Sequence, residues 1–418
     1  MRNDWKVSFR ALWIAEFLAV AGFQTSTPIL PLYLKDLGVQ GAAALNAWNG
    51  IINGGPSLLL ALAAPVWGSL ADSYGKKPML LRATIGGAGL LGLMALVTAP
   101  WQLLVLKLFQ GIVTGTVAAA TVLTATIVPE EETGYRLGLL QMSVFLGATA
   151  GPLIGGVITD LASARVTFLV TAALLGLASL LVGRYVHEDH VVSIAKGESL
   201  LARMLPDRGL FAATPLLLGL LLCVFAIQLA NGIANPILPL IIDDMNGGAR
   251  GTGSLAGLII GASSLSGALA AALIGRVSTR FGYGNTLVTC LLAAFVFYIP
   301  QGFARSPWLL LALRVASGAF LGGTIPSVNA LIARVAKKGK QGAVFGLSSS
   351  VSSGGSAVGP LLGALIATVA GYPSVFYATG AILALTGLMI AAGIGRPSSV
   401  NVEPENEDPV PPEAGLAE

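Results

Sequence analysis

The sequence predicts an all-α membrane protein: twelve transmembrane helices in two parallel six-helix repeats. Three observations predict it. Hydrophobic residues make up 55% of the 418-residue chain and charged residues only 11%, whereas a soluble chain carries roughly a quarter charged residues. Twelve runs are long and apolar enough to cross a bilayer, which takes about 20 residues. The last six runs repeat landmarks of the first six at a spacing of 207 to 208 residues. The mean hydropathy of +0.80 and the 53 glycines suit helices that pack closely within lipid. Cys223 and Cys290 both lie inside apolar runs, so neither a disulfide framework nor a metal site is indicated. The net charge of +4 sits mostly in loops and does not imply nucleic acid binding.

In chain order the runs fall near 9–34, 47–71, 79–98, 101–128, 136–160 and 165–186, then near 211–241, 253–276, 285–304, 307–334, 342–370 and 373–395. The expected domains are a six-helix bundle over 1–186, a cytoplasmic central loop over 187–210, a second bundle over 211–395 and a disordered cytoplasmic tail over 396–418. With the N-terminus inside, the cytoplasmic segments hold 18 of the 24 lysines and arginines. Basic residues accumulate on that side, so both termini are expected in the cytoplasm of a multi-pass cell-membrane protein.

The first run is longer than the apolar region of a signal peptide and ends in Pro28 and Pro31, so it reads as a retained helix. It contains Glu16, the only carboxylate well inside a span. An acid there is a candidate proton carrier, or else the structural partner of a basic residue. Between the second and third runs, 68–80 is a connection of about ten residues, which holds two helices as a tight hairpin. Gly68 and Gly75 allow close approach and positive φ. Lys76 and Lys77 either pair with Glu130, Glu131 or Glu132 or only set topology.

The fourth and tenth runs carry Lys107 and Arg314, membrane-embedded basic residues that need a partner, water or an interface to snorkel toward. In the fifth run Gly147, Gly151, Gly155 and Gly156 follow the small-residue spacing of close helix packing, and Pro152 can bend the helix. In the central loop, 199–205 reads equally as a short interfacial helix or a solvated linker, and His187 and His190 have no cysteine nearby to make a metal site. Asp36, Asp243 and Asp244, at outer helix ends, read as solvated. Gln24, Asn49, Asn53, Gln141, Phe145, Phe225, Gln228, Asn231 and Asn235 are candidates to line a substrate cavity. Mostly apolar walls with a few polar groups suit amphipathic ligands, and few cavity charges argue against an anionic one.

The halves match in detail. Thr27-Pro28-Ile29-Leu30-Pro31-Leu32 recurs as Asn235-Pro236-Ile237-Leu238-Pro239-Leu240. Gly68, Gly75 and Leu80 recur as Gly275, Gly282 and Leu287, with Thr279 where the first copy has Asp72. Pro100-Trp101, Lys107 and Gly111 recur as Pro307-Trp308, Arg314 and Gly318. Parallel six-helix repeats about an axis along the membrane normal are one of the known transporter arrangements.

Gly68-x-Leu70-Ala71-Asp72-x-x-Gly75-Lys76-Lys77-x-x-Leu80 resembles the signature loop of the major facilitator superfamily, and Gly147-x3-Gly151-Pro152-x2-Gly155-Gly156 resembles the fifth-helix signature of its 12-helix drug:proton antiporters, a multidrug efflux family. The resemblance covers nearly the whole chain and implies the major facilitator fold. It implies a conformational switch at Gly68, Asp72, Gly75, Lys76 and Lys77, with Asp72 latching onto 341–345 in the outward-open state. It further implies a helix 5 hinge and seal against helix 8 at Gly147, Gly151, Pro152, Gly155 and Gly156. The family's Arg-x-x-x-Gly in helix 4 is here Lys107-Leu108-Phe109-Gln110-Gly111, so Gln110 and Gly111 belong to that motif.

The expected function is export of amphipathic small molecules or drugs in exchange for protons, by a functional monomer embedded in the lipid bilayer, with Glu16 and Asp72 coupling the proton. A proton-coupled symporter or uptake carrier, and a non-transporting receptor or scaffold, are the alternatives. No nucleotide-binding loop, nucleophile–base pair or metal constellation appears, so neither a cofactor nor an enzyme activity is expected.

Overall fold

The computed structural model describes residues 4–188, 215–249, 251–335 and 341–394, with the side chains of 4, 65, 68, 69, 72, 73, 215, 279, 341–343 and 394 outside the description. The tail, His190 and nearly all of the central loop, its possible interfacial helix included, lie outside the described residues.

Sixteen α-helices and no strands make up the described residues. They are α1 (Asp4–Thr25), α2 (Leu30–Asp36), α3 (Ala42–Tyr74), α4 (Lys76–Met94), α5 (Pro100–Val113), α6 (Thr116–Ile127), α7 (Glu130–Leu161) and α8 (Ala164–Tyr185) in the first half. The second half has α9 (Pro215–Ala234), α10 (Leu238–Met245), α11 (Thr252–Phe281), α12 (Tyr283–Gln301), α13 (Pro307–Gly322), α14 (Thr324–Val335), α15 (Gln341–Ala370) and α16 (Tyr372–Ile394).

Four of the predicted runs are each broken into two helices: α1 with α2, α5 with α6, α9 with α10, and α13 with α14. The breaks fall at equivalent places in the two halves. Pro28 and Pro236 supply no backbone N–H at the first and third breaks. At the second, Gly115 adopts φ +134°, open to glycine at little cost. Ten helices or helix pairs among the described residues are long and apolar enough to cross a membrane. The other two predicted runs are α3, of 33 residues, and α4, which carries Lys76, Lys77 and Arg82 within 19 residues.

The connection at 68–80 is tighter than its sequence suggests. Gly75 alone joins α3 to α4 at φ +100°, and Gly282 joins α11 to α12 at φ +85°. Asp72 therefore belongs to the last turn of α3, and both lysines to the first turn of α4. Their backbone N–H groups donate to the two oxygens of Glu188, at 2.9 Å from Lys76 and 2.7 Å from Lys77, and Lys77 Nζ donates to the Gly183 carbonyl at 3.1 Å. Of the two readings of these lysines, pairing with Glu130, Glu131 or Glu132 is not seen among the described residues. Those acids open α7, which starts six residues before its predicted run, at the helix end that favours negative charge. Glu132 pairs with Arg136 of the next turn at 2.6 Å.

Packing repeats as the sequence does. In the first half α1 lies against α7 and α8, α3 against α5, and α4 against α8; in the second, α9 lies against α15 and α16, α11 against α13, and α12 against α16. The first half holds two apolar clusters, one with Tyr33 and Phe168 fully buried, and the second half holds one, with Tyr298 and Phe376. The halves meet along two seams, α7 on α11 and α3 on α15.

Candidate functional site

Inner and outer faces are named here from the orientation that the basic residues predict. The halves are joined at the outer ends of the two seams. Lys35 of α2 pairs with Asp243 of α10. Asp243 is buried, so the expectation that it is solvated is corrected: it faces the other half rather than water. Asp160, in the last turn of α7, accepts from the backbone N–H of Gly253 at 3.1 Å and of Ser254 at 2.6 Å. Those are orphan donors of the first turn of α11, where a carboxylate is well placed. On the other seam Asn49 Nδ2 donates to the Pro236 carbonyl at 2.8 Å, and Asn46 Nδ2 to Thr368 Oγ1 at 3.2 Å.

The glycines of α7 divide between two neighbours. A Cβ on Gly147, Gly151 or Gly155 would run into α1, at Phe17, Ala21 or Thr25; one on Gly156 would run into the Gly253 backbone, and one on Gly257 would run into the Pro152 carbonyl. Three of the five residues expected at the seam thus lie against helix 1 of their own half, and Pro152 and Gly156 lie against α11. Period-four spacing shows that a face is small but not what covers it. Gly151→Val should therefore strain the α1–α7 contact by roughly 1–3 kcal/mol and lower the thermal unfolding midpoint of the purified protein. Gly134→Val, where a Cβ would meet nothing within 4 Å, should leave it nearly unchanged.

Below Thr149 the α7–α11 seam opens. Two adjoining cavities fill the gap and share Phe145 and Ala268. One of about 490 Å³ has nearly apolar walls, including Met142, Phe145, Leu265 and Leu269, with Gln141 at its margin. The other, of about 280 Å³, reaches toward α9 and α13 and is lined by Asn231, Asn235, Ser263, Ser264 and Arg314. Both seams are joined at the ends named outer, and the two cavities lie between α7 and α11 toward the opposite end.

Of the nine expected cavity residues, Gln141, Phe145, Asn231 and Asn235 line these spaces. The others are held in helix contacts. Asn49 is fully buried in the α3 seam, and Asn53 donates to its carbonyl and its Oδ1 at 2.9 and 2.8 Å. Gln24 accepts from Thr27 Oγ1 at 3.1 Å, Gln228 donates to Ser356 Oγ at 3.3 Å, and Phe225 packs near Gly354 and Gly355.

Glu16 is 1% exposed. Its Oε1 accepts from Thr116 Oγ1 at 3.3 Å, and its Oε2 has no hydrogen-bond partner among the described residues. No basic residue lies within ion-pair reach of it among the described residues. Thr116 starts α6 just after the Gly115 break, so the break sets the one polar contact that Glu16 makes. Lys107 is buried, with a single long contact, 3.5 Å, to Ser26 Oγ. Its neighbours Gln110 and Gly111 are buried too, and Gly111 lies against the Pro56 backbone where α5 crosses α3.

Arg314 is 3% exposed and bears on the smaller cavity. The few charges expected at the cavity include this one. The latch between Asp72 and 341–345 rests on side chains outside the description, as does Gly68. Asp160 went unmarked by the sequence because its partners are backbone N–H groups, which no motif records. The α11 wall was missed because Leu265 and Leu269 look like any lipid-facing leucines.

A family model described as the Major Facilitator Superfamily matches residues 12–219 and 220–416. The chain is 34% identical over 393 residues to the multidrug resistance protein MdtG of Enterobacter lignolyticus, covering 94% of this chain and 93% of that one. It is 32% identical over 405 residues to the MdtG of Klebsiella pneumoniae, covering 96% and 97%. Among solved structures, the nucleoside transporter NupG superposes with a TM-score of 0.78 at 14% identity, covering 92% of this chain and 99% of that one.

Proposed function

The chain belongs to the Major Facilitator Superfamily, and on that premise we propose that it is a secondary active transporter that exports amphipathic small molecules or drugs in exchange for protons. The observation that carries this reading is the whole-length similarity to multidrug resistance proteins. A cleft with mostly apolar walls between two halves sealed on one side supports it, since that shape admits an amphipathic solute from one face only. Uptake and scaffold readings have no comparable support.

In the mechanism, substrate enters the cleft from the cytoplasm and sits between α7 and α11. The halves then rock about it: the Lys35–Asp243 pair and the Asp160 cap part, and the inner ends of the seams close. Asp72 latches the closed inner face, with Gly68 and Gly75 letting α3 and α4 approach and Lys76 and Lys77 held near Glu188. Glu16 carries the exchanged proton, its unpartnered oxygen being a vacant position for it. For exchange to be driven, proton and substrate must each favour one conformation over the other. The chain works as a monomer in the cell membrane with both termini in the cytoplasm.

Cells expressing the protein should accumulate a fluorescent amphipathic dye more slowly than cells without it. A protonophore should remove that difference. Equal accumulation with and without the protein, across dyes of both charge signs, would contradict the reading.

A further inference from the structure

Arg314 has more hydrogen-bonding capacity than the protein satisfies. A guanidinium carries five N–H donors and keeps its charge. Here Nη1 donates to Asn235 Oδ1 at 3.2 Å and to the Tyr298 hydroxyl at 3.4 Å, while Nε and Nη2 have no partner among the described residues. The rings of Tyr298 and Phe376 lie 5.6 Å from its central carbon, which helps a buried cation but does not neutralise it. Among the described residues no carboxylate lies within ion-pair distance of it. A buried charge without a counter-charge costs more than neutral contacts return.

The surroundings indicate what would complete it. The smaller cavity places Asn231, Asn235, Ser263 and Ser264 near Arg314 and brings Phe145 from the opposite half. It adjoins the larger apolar space, so a molecule spanning both would put its polar end at Arg314 and its apolar body among Met142, Leu265 and Leu269. The combined space suits a compound of one or two rings; a two-chain lipid is too large for it.

We propose that Arg314 is the residue that reads the acidic group of an amphipathic organic acid bound in the cleft. This rests on the export reading for the direction of movement, and it adds the charge of the cargo. A carboxylate at that wall would meet a guanidinium with two donors, Nε and Nη2, left without a partner among the described residues. It would supply the counter-charge that no described residue provides. Because the same cavity is walled by Phe145 of α7, an acid held there touches both halves and can bias their relative position.

The test is binding to the purified full-length protein in detergent, by calorimetry, of three compounds with one body: 1-naphthaleneacetate, 1-naphthaleneacetamide and 1-naphthylmethylammonium. The carboxylate should bind at least about tenfold more tightly than the other two, the effect of one charge-assisted hydrogen bond. Arg314→Gln should bring the three affinities together, whereas Arg314→Lys should keep part of the preference. Asn235→Asp, which gives Arg314 an internal counter-charge, should remove the preference while the unfolding midpoint holds or rises. Equal or tighter binding of the amide or the ammonium by the unaltered protein would overturn the proposal. So would a preference that survives in a folded Arg314→Gln protein. Binding needs no gradient, so equal affinities leave the export reading standing. A failure of export in vesicles leaves the binding result standing.

Discussion

Glu16→Gln is expected to slow gradient-driven export by roughly 5- to 150-fold while sparing substrate exchange. The substitution keeps size and hydrogen-bonding atoms but cannot bind or release a proton near neutral pH. Glu16 has one hydroxyl partner and no basic residue within ion-pair reach among the described residues, so the change breaks no ion pair and should leave the fold intact. Coupling free energies between sites are about 1–3 kcal/mol, or roughly 5- to 150-fold. The rate driven by a pH gradient should fall by a factor in that range. Counterflow of labelled against unlabelled substrate needs no net proton movement and should persist. If the variant transports with the unaltered dependence on the gradient, Glu16 is structural.

Asp160→Asn is expected to tilt the conformational balance toward outward-open. The carboxylate receives two charge-assisted hydrogen bonds from the first turn of α11, each contributing about 1.5–3 kcal/mol. Asparagine can keep one acceptor and loses the charge, so a shift of roughly tenfold or more follows. Removing the Lys35–Asp243 pair with Lys35→Met should shift it the same way, but less, because Lys35 is partly exposed. The readout is a cysteine at Ala364, buried at the outer end of the α3–α15 seam, with Cys223 and Cys290 replaced by alanine. A membrane-impermeant maleimide added outside should label it faster in both variants. Unchanged labelling would mean that other contacts hold the outer seal.

The sequence carried the architecture because its repeat is rigid and its apolar runs are long. The same offset held more than was read from it. Lys35 and Asp243 are 208 positions apart, so they are equivalent positions of the two repeats that meet across the axis relating them. What defeated the reading was the contact between halves, which depends on the conformation. Asp243, at an outer helix end, meets Lys35 of the other half here. Polarity alone could not separate Asn235, which lines the cavity and meets Arg314, from Asn49, which ties the seam. Small-residue spacing likewise identified the packed face of α7 without naming α1 as its partner. The contact of Glu188 with the backbone N–H groups of Lys76 and Lys77 went unseen because Glu188 follows the first bundle and reaches back to α4 over more than a hundred residues, which local reading does not see.

The most direct test of the account is transport by the purified protein in vesicles with an imposed pH gradient and a pH-sensitive dye inside. Molecules whose cytoplasmic face is outward should load substrate when the interior is acidic, and substrate entry should raise the interior pH. Collapsing the gradient should stop both. Loading that is indifferent to the gradient, or that proceeds with no change in interior pH, would contradict proton exchange as the source of its work.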